Sequence, residues 1–550
     1  MIFSFFGRAN SKQTHIMHNI IKEFCQESGQ SISNHKSVAF TGPRVSREMK
    51  QRITNITGIK FTENLGNYLG VPLINNRVSK RKYNFIIEKV QARLTGWKAN
   101  NLSLAGRCTL INSVLAGIPS YAMQTVWLPQ HTCDALNKLN RNFLWGSSGD
   151  KRKVHMVKWE EVTKSKKLGG LGIRESRKAN VAQLAKIGSR IACGTEKIWA
   201  KVFQCKYLKQ GTITDYVPKA DNSNTWKGIV RSFHMIEGGF GWRVGNGREV
   251  SIWFDIWIDN DPICLLIDEI LPMEILWNVS DILTPDGEWN LDVLQTVIPV
   301  DVRRKILNLR VNHGVDSNDS LVWKGSADGR LTAKSFFKFI SRVDEETGEQ
   351  RNWQWIWKLE CIPKLKFFMW LIVHGRVMTN EYRARIGLTE SGMCPRCHLQ
   401  TETILHLLRD CPNSKKVWEN FIPSAFWQSF FNSPIMPWIE MNVKNQYGLA
   451  YSSNIEWQSL YLAIVWHIWK ARNEQVFENN IFSVVKVGRM AMLFATDMLI
   501  SAEKFGTLLL DPVNSRWTKP PPGYLKLNID GGYRDCCGVF GGVLRNEDGE

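Results

Sequence analysis

The sequence predicts a multidomain chain, mainly α with α+β parts. Three observations carry that prediction. The 550 residues exceed what one hydrophobic core organises. Apolar residues recur at helical spacing in both halves of the chain, while the middle changes to turn-rich texture. Finally, one Cys/His cluster punctuates the second half. Composition agrees with a folded chain, since 43% apolar and 22% charged residues are ordinary for globular proteins.

The first helix is predicted over Thr14 to Gln26, where Ile16, Ile20, Ile21 and Phe24 share a face and Ser28-Gly29 ends it. The strongest pattern lies between Lys80 and Trp97. There Tyr83, Ile86, Ile87, Val90, Leu94 and Trp97 make one apolar stripe, with Lys82, Lys89 and Arg93 off it. A second helix is expected over Leu104 to Leu115, with Ser103 as N-cap and Gly117-Ile118-Pro119 closing it, and a third over Thr132 to Trp145. From about 210 to 335 the run Gly238 to Gly247 is turn chemistry, and Val250 to Trp257, Ser320 to Trp323 and Arg330 to Ala333 read as short strands.

Helical pattern returns at Ser335 to Ile340 and Lys364 to His374. It returns again in a long helix, Trp457 to Phe477, with Trp457, Tyr461, Ile464, Val465, Ile468 and Trp469 on one face, and in Val485 to Ala502. A Pro-containing linker, 506–523, precedes two strands, Leu525 to Ile529 and Val539 to Leu544. The predicted domains are a helical region at 1–200, a mixed connector at 201–345, a small Cys/His module at 346–425, a helical pair at 450–505 and an incomplete α/β tail at 524–550.

Lys and Arg total 71 against 51 Asp and Glu, a net charge of +20 that favours polyanionic partners. The start, Met1 to Phe6, is too short for a secretory core, and no stretch approaches the roughly 18 apolar residues of a membrane span. The expected location is therefore intracellular, in nucleus or cytoplasm. The 12 Cys are scattered apart from one cluster, which suits a reducing compartment with one metal site.

That cluster is Cys394-Pro395-Arg396-Cys397, His406 and Cys411, a C-x2-C-x8-H-x4-C pattern. A two-residue knuckle turns both thiolates toward one ion, and a helix with the turn that ends it supplies the imidazole and third thiolate. Four such ligands in a tetrahedron hold structural zinc, with no position open for catalysis. Unligated cysteines beside a packed histidine are the plain alternative. His398 competes for the fourth position but is disfavoured by its bound neighbour Cys397.

Further motifs carry a family resemblance. Asn67-Tyr68-Leu69-Gly70-Val71-Pro72-Leu73, Leu94 to Lys98, Leu102 to Arg107, Phe143 to Gly146 and Lys167 to Gly172 resemble successive landmarks of plant LINE-type (non-LTR) retrotransposon reverse transcriptases. Trp355 to Trp370, the Cys/His cluster and Trp418 resemble the reverse-transcriptase zinc-binding domain of these elements. Lys526 to Gly531 with Gly541 to Arg545 is similar to the opening strands of a plant-type ribonuclease H domain.

The resemblance implies that 1–200 is the end of a polymerase palm with a thumb-like helical region, and that 524–550 is a truncated ribonuclease H-like start. It places the polymerase's paired aspartates upstream of Met1. Of four ribonuclease H-type carboxylates only Asp530 is matched, and Cys536-Cys537 replaces an expected Gly-rich stretch. Two-metal phosphoryl chemistry needs several carboxylates, so Mg²⁺ is expected only for a complete polymerase or ribonuclease H domain, and Asp530 alone is expected to be inactive.

The thumb-like position makes Lys80, Arg81, Lys82, Lys89, Arg93, Lys98 and Arg107 candidate contacts to RNA or DNA, as a primer–template or hybrid duplex. A solvated basic face is the alternative. The tryptophans at 353, 355 and 357 are expected to pack rather than to stack on bases, and His374 and His467 to be packed histidines. Two other readings stay open. One is an RNA–DNA hybrid ribonuclease, if the chain continues beyond Glu550; the other is a non-enzymatic protein using the zinc module for RNA or protein contacts.

Overall fold

Local capping decides where the first helices begin. The Asn10 side chain accepts the Gln13 amide at 2.8 Å and Gly29 adopts a left-handed φ of 66°, so helix α1 runs Ser11–Ser28, a turn longer at its front than apolar spacing alone predicts. Ser46 starts helix α2 (Arg47–Thr57) in the same way. The computed structural model describes residues 5–33, 37–42, 44–62, 67–68, 71–72, 80–96, 101–147, 153–209, 211–284, 286–309, 318–326, 328–343, 352–449, 455–509, 519–534 and 537–548. Among them the fold is mostly helical, with strands confined to three two-stranded antiparallel ribbons. The chain divides into two units, Met1–Lys358 and Leu359–Glu550.

In the first unit, the segment with the apolar stripe begins as a 3₁₀ turn, Lys80–Tyr83, and becomes helix α3 only at Asn84–Thr95. Tyr83, Ile86 and Val90 are buried, Ile87 and Leu94 half-buried, and Trp97 lies outside the described residues. Ser103 caps helix α4 (Leu104–Leu110), which widens into a π-turn at Ile111–Leu115 before the break at Gly117 to Pro119. Helix α5 (Gln130–Trp145) ends at Gly146, whose φ is 72°. Helices α6 (Ser176–Ala192) and α7 (Asn224–His234) build one core around Leu184, Trp226, Phe233, Trp323 and Phe336. Trp226 is fully buried and stacks on Tyr207 at 4.8 Å; rings buried this way each contribute about 3–5 kcal/mol on truncation.

The connector departs from the expected strands. Ser320–Trp323 is a strand, but it pairs with Phe240–Arg243 and not with Arg330 to Ala333. The latter segment is drawn into a helix start: the Ser335 amide donates to Thr332 Oγ1 at 3.1 Å, and helix α8 follows at Ala333–Val343. Val250 to Trp257 is a turn. Asp255 accepts the Ser251 amide at 2.7 Å and the Trp242 indole N–H at 3.1 Å, curling the backbone. Val250, Ile252, Trp253 and Trp257 then all enter one core, which strand alternation forbids.

The Gly245 to Gly247 turn is organised by a distant carboxylate. Buried Asp319 accepts the amides of Gly245 (2.7 Å), Gly247 (2.9 Å) and Glu249 (2.9 Å). Gly247 has a φ of 69°, and a Cβ there would stand 2.7 Å from the Ser280 amide nitrogen. Asp319→Ala is expected to cost about 2 kcal/mol, because charge-assisted bonds to three amides are lost together. A lowered denaturation midpoint in urea would show it, and an unchanged midpoint would remove Asp319 as the organiser.

The second unit is built on one helix. Helices α9 (Pro363–Val373), α10 (Asn380–Arg385), α11 (Pro412–Glu419) and α12 (Ile435–Val443) precede α13 (Trp457–Glu478) and α14 (Val484–Leu509). In α13 Trp457, Leu460, Tyr461, Leu462, Ala463, Ile464, Val465 and Ile468 are all buried. The single apolar face expected from spacing is therefore too narrow: α13 is apolar around most of its girth and serves as the central rod. His467 packs edge-on against Phe494 at 5.4 Å, and burial pushes its pKa down to about 4. His374 packs against Trp370 at 4.8 Å. A ribbon of Lys526–Arg534 and Cys537–Arg545 closes the unit's sequence, with Asp530 opposite Gly541. Among the described residues no helix is long and apolar enough to cross a membrane.

Candidate metal centre

The knuckle forms because the backbone closes a tight loop on itself. Met393 bridges Thr401, the Glu402 amide donates to the Gly392 carbonyl at 2.8 Å, and the Cys394 amide donates to the Gln400 carbonyl at 2.8 Å. Inside that loop the His398 amide donates to the Cys394 carbonyl at 2.9 Å, with His398 itself at a φ of 55°. His398 is exposed and stands outside the ligand cluster.

His406 and Cys411 come together by a different device. In an α-helix, residues five apart point about 140° away from each other. Here residues His406–Asp410 form a π-turn, closed by the Cys411 amide donating to the His406 carbonyl at 2.8 Å. The wider turn brings the fifth residue back beneath the first. Pro412 then starts α11 at its first position, so Cys411 sits at the joint between the two helical segments.

The ligand atoms of Cys394, Cys397, His406 and Cys411 all lie within 4.8 Å of one another, the one such group among the described residues. Cys394 and Cys411 Sγ are 3.9 Å apart, and Cys397 Sγ is 3.4 Å from His406 Nε2. A disulfide needs about 2.05 Å, so the sulfurs are unbonded. A tetrahedron with Zn–S bonds of about 2.3 Å has S···S edges of about 3.8 Å, which matches. Gln400 Oε1 lies 3.2 Å from His406 Nδ1, which sets the ring so that Nε2 faces the thiols. The Leu399 amide donates to Cys397 Sγ at 3.5 Å, compensating thiolate charge. Between the two buried cysteines, hydrogen bonding from Cys411 pulls the Cys394 thiol far below its ordinary pKa, while Cys411 is pushed up. The donor set, its spacing and its supporting contacts fit structural zinc.

Two arginines hold this centre, and sequence reasoning passed over both. Buried Arg396, inside the knuckle, donates to the Leu407 carbonyl at 2.6 Å and to Ser414 Oγ at 3.0 Å, tying knuckle to π-turn. Arg472 of α13 grips Glu402 through Nε–Oε1 at 2.9 Å and Nη2–Oε2 at 2.5 Å, and neither side chain is exposed. Asn380 completes the pair: its amide donates to Glu402 Oε2 at 2.6 Å and its side chain donates to the Met393 carbonyl at 3.0 Å. Trp418 is fully buried and donates to the Leu408 carbonyl at 2.8 Å.

The candidate nucleic-acid residues fall elsewhere. Lys89 and Arg93 are exposed one turn apart on α3, with the Lys89 ammonium 5.4 Å from the Phe85 ring centre. Lys82 and Arg107 are half-buried. The backbones of Lys80 and Arg81 lie in the 3₁₀ turn and that of Asp530 in the terminal ribbon, but their side chains are outside the described set; Lys98 is outside it altogether. Trp357 donates to the Lys166 carbonyl at 3.2 Å and the Trp353 amide donates to the Lys167 carbonyl at 2.9 Å, so these two tryptophans are engaged in packing against the Gly-rich loop at 167–172.

Comparison with known proteins agrees with this geometry. The family described as zinc-binding in reverse transcriptase matches residues 331–418, a span that contains all four candidate ligands and ends at Trp418. An Arabidopsis thaliana protein named for ribonuclease H is 31% identical over 493 residues, covering 86% of this chain and 78% of that protein. An uncharacterised mitochondrial protein of Arabidopsis thaliana is 29% identical over 148 residues, covering 26% of this chain and 96% of that protein. The chain therefore belongs to the plant retrotransposon family of reverse transcriptase and ribonuclease H proteins, and carries its zinc-binding domain.

Proposed function

We propose that this chain is a nucleic-acid-binding, zinc-organised portion of a retroelement reverse transcriptase/ribonuclease H protein, one that holds a primer–template or RNA–DNA hybrid without copying or cleaving it. The observation that carries the reading is α3. Its inner side buries Ile86 and Val90 beside Tyr83 of the preceding turn, while Lys89 and Arg93 stand exposed on a chain of net charge +20. Such a helix offers cations to phosphates without sequence information. Catalytic silence rests on the carboxylates. Asp530 is the single match to a ribonuclease H set, and one carboxylate cannot hold the two Mg²⁺ ions of phosphoryl transfer. The domain bounds read from the sequence are part of the same proposal.

Fluorescence anisotropy of a labelled RNA–DNA hybrid tests it. The full chain is expected to bind with affinity that falls steeply with salt, and Lys89→Glu with Arg93→Glu to weaken binding about tenfold or more at low salt. The hybrid should stay intact in Mg²⁺. Absence of salt-dependent binding would end the nucleic-acid reading, and cleavage by the purified chain would end the claim of silence.

A further inference from the structure

We propose that Arg107 and Arg141, with Lys153 and His155, form a phosphate-binding pocket at the C-terminal end of α5, the place where a nucleic-acid backbone is gripped. The inference rests on the nucleic-acid reading above and names its contact point. Gly146 ends α5, and a side chain there would collide with Arg107 Nη1 and stand 3.6 Å from Lys153 Nζ. Two cations thus converge over one glycine. Arg141 lies in the last turns of the same helix, and His155 follows Lys153 by two residues.

The buried ends of the two arginines make the cluster unusual. Arg107 Nε and Arg141 Nε are each sealed from solvent with no hydrogen-bond partner, and neither guanidinium has an acidic partner among the described residues. Burial lowers the Arg107 pKa, and burial together with the Arg141 charge lowers that of His155. Unpaired, partly desolvated cations are costly to hold in a fold. The helix C-terminus offsets some of that cost through its dipole. Yet neither guanidinium bonds the final carbonyls of α5, as a capping arginine would. The groups at hand are Arg107 with Lys153 over Gly146 and Arg141 beside His155, and guanidinium forks match the oxygens of a phosphate diester. Gly146 is what lets the Arg107 guanidinium lie over the end of the helix, since a Cβ there would collide with it.

The test uses the full chain and the labelled RNA–DNA hybrid. Arg107→Gln with Arg141→Gln is expected to weaken binding about tenfold and to flatten the log–log salt dependence by about two, one unit for each lost phosphate contact. The double variant should melt at or above the wild-type temperature, because the removed charges have no hydrogen-bond or ion-pair partners to lose among the described residues. Wild-type binding with an unchanged variant would overturn the pocket and leave the broader reading standing, whereas no binding by the wild type would overturn both. If the double variant melts well below wild type, the arginines hold the fold, and Lys153→Glu at its exposed position decides. A similar loss of affinity supports the pocket, and unchanged affinity overturns it.

Discussion

Chelating the metal, or replacing Cys394→Ser and Cys397→Ser together, is expected to unfold the knuckle, the π-turn and α11 as one cooperative block. Apart from the ligands, residues 392–411 are held by Arg396, by the Glu402–Arg472 pair and by buried Leu407 and Leu408. Their backbone closes through a few hydrogen bonds, one isolated bridge and the His406 carbonyl to Cys411 amide bond. Binding at structural sites of this kind contributes on the order of 10–16 kcal/mol at neutral pH, more than the whole net stability of a typical domain. Part of that is spent on desolvating three sulfurs, two of them on fully buried cysteines, Cys394 and Cys411. Elemental analysis should find one zinc per chain in the wild type and none in the double variant. Hydrogen exchange should then rise across 392–419 while the Trp226 core of the first unit keeps its protection. A chain that stays protected there without zinc would show that the aromatic core around Trp418, Phe430 and Trp438 suffices. The ligand set would then be reduced to four packed residues.

How much of this was legible beforehand follows from the range of the forces involved. The Cys/His cluster was readable because knuckle and helix spacing are local properties of the chain, and its supporting polar contacts, Leu399 to Cys397 and Gln400 to His406, span two and six residues. The helices at Ser11, Leu104, Gln130 and Pro363 were readable for the same reason, since their caps and stripes lie within a few residues. The connector was not. Its turn at Gly245 to Gly247 is fixed by Asp319, more than seventy residues away, and its supposed strand at 250–257 is bent by Asp255 capping Ser251. Periodicity cannot see either effect. The same limit hid Arg472. In sequence it is one more cation near the end of an apolar helix, and only the fold reveals the carboxylate opposite it.

That carboxylate gives the second large effect: Glu402→Ala or Arg472→Ala alone is expected to cost about 3–5 kcal/mol, because each strands the other's charge in a site with no exposure. The loss should reach the metal too. Asn380 joins the pair to Met393, the residue before Cys394, so loosening it frees the knuckle from α13, and zinc affinity is expected to fall about 10–100-fold. Removing both charges should be gentler than either single change. Glu402→Leu with Arg472→Met leaves no buried ion uncompensated, and its destabilisation is expected to be smaller than the sum of the two singles by several kcal/mol. A double-mutant cycle on urea midpoints, run at matched zinc, measures that difference directly. Additive single effects within about 0.5 kcal/mol would mean that the two side chains do not meet in solution. The central helix would then carry the zinc module by apolar packing alone, through Tyr461 against Trp418 at 5.7 Å. A large coupling energy would instead make Arg472 the residue that fixes where the metal centre sits on the rod beneath it.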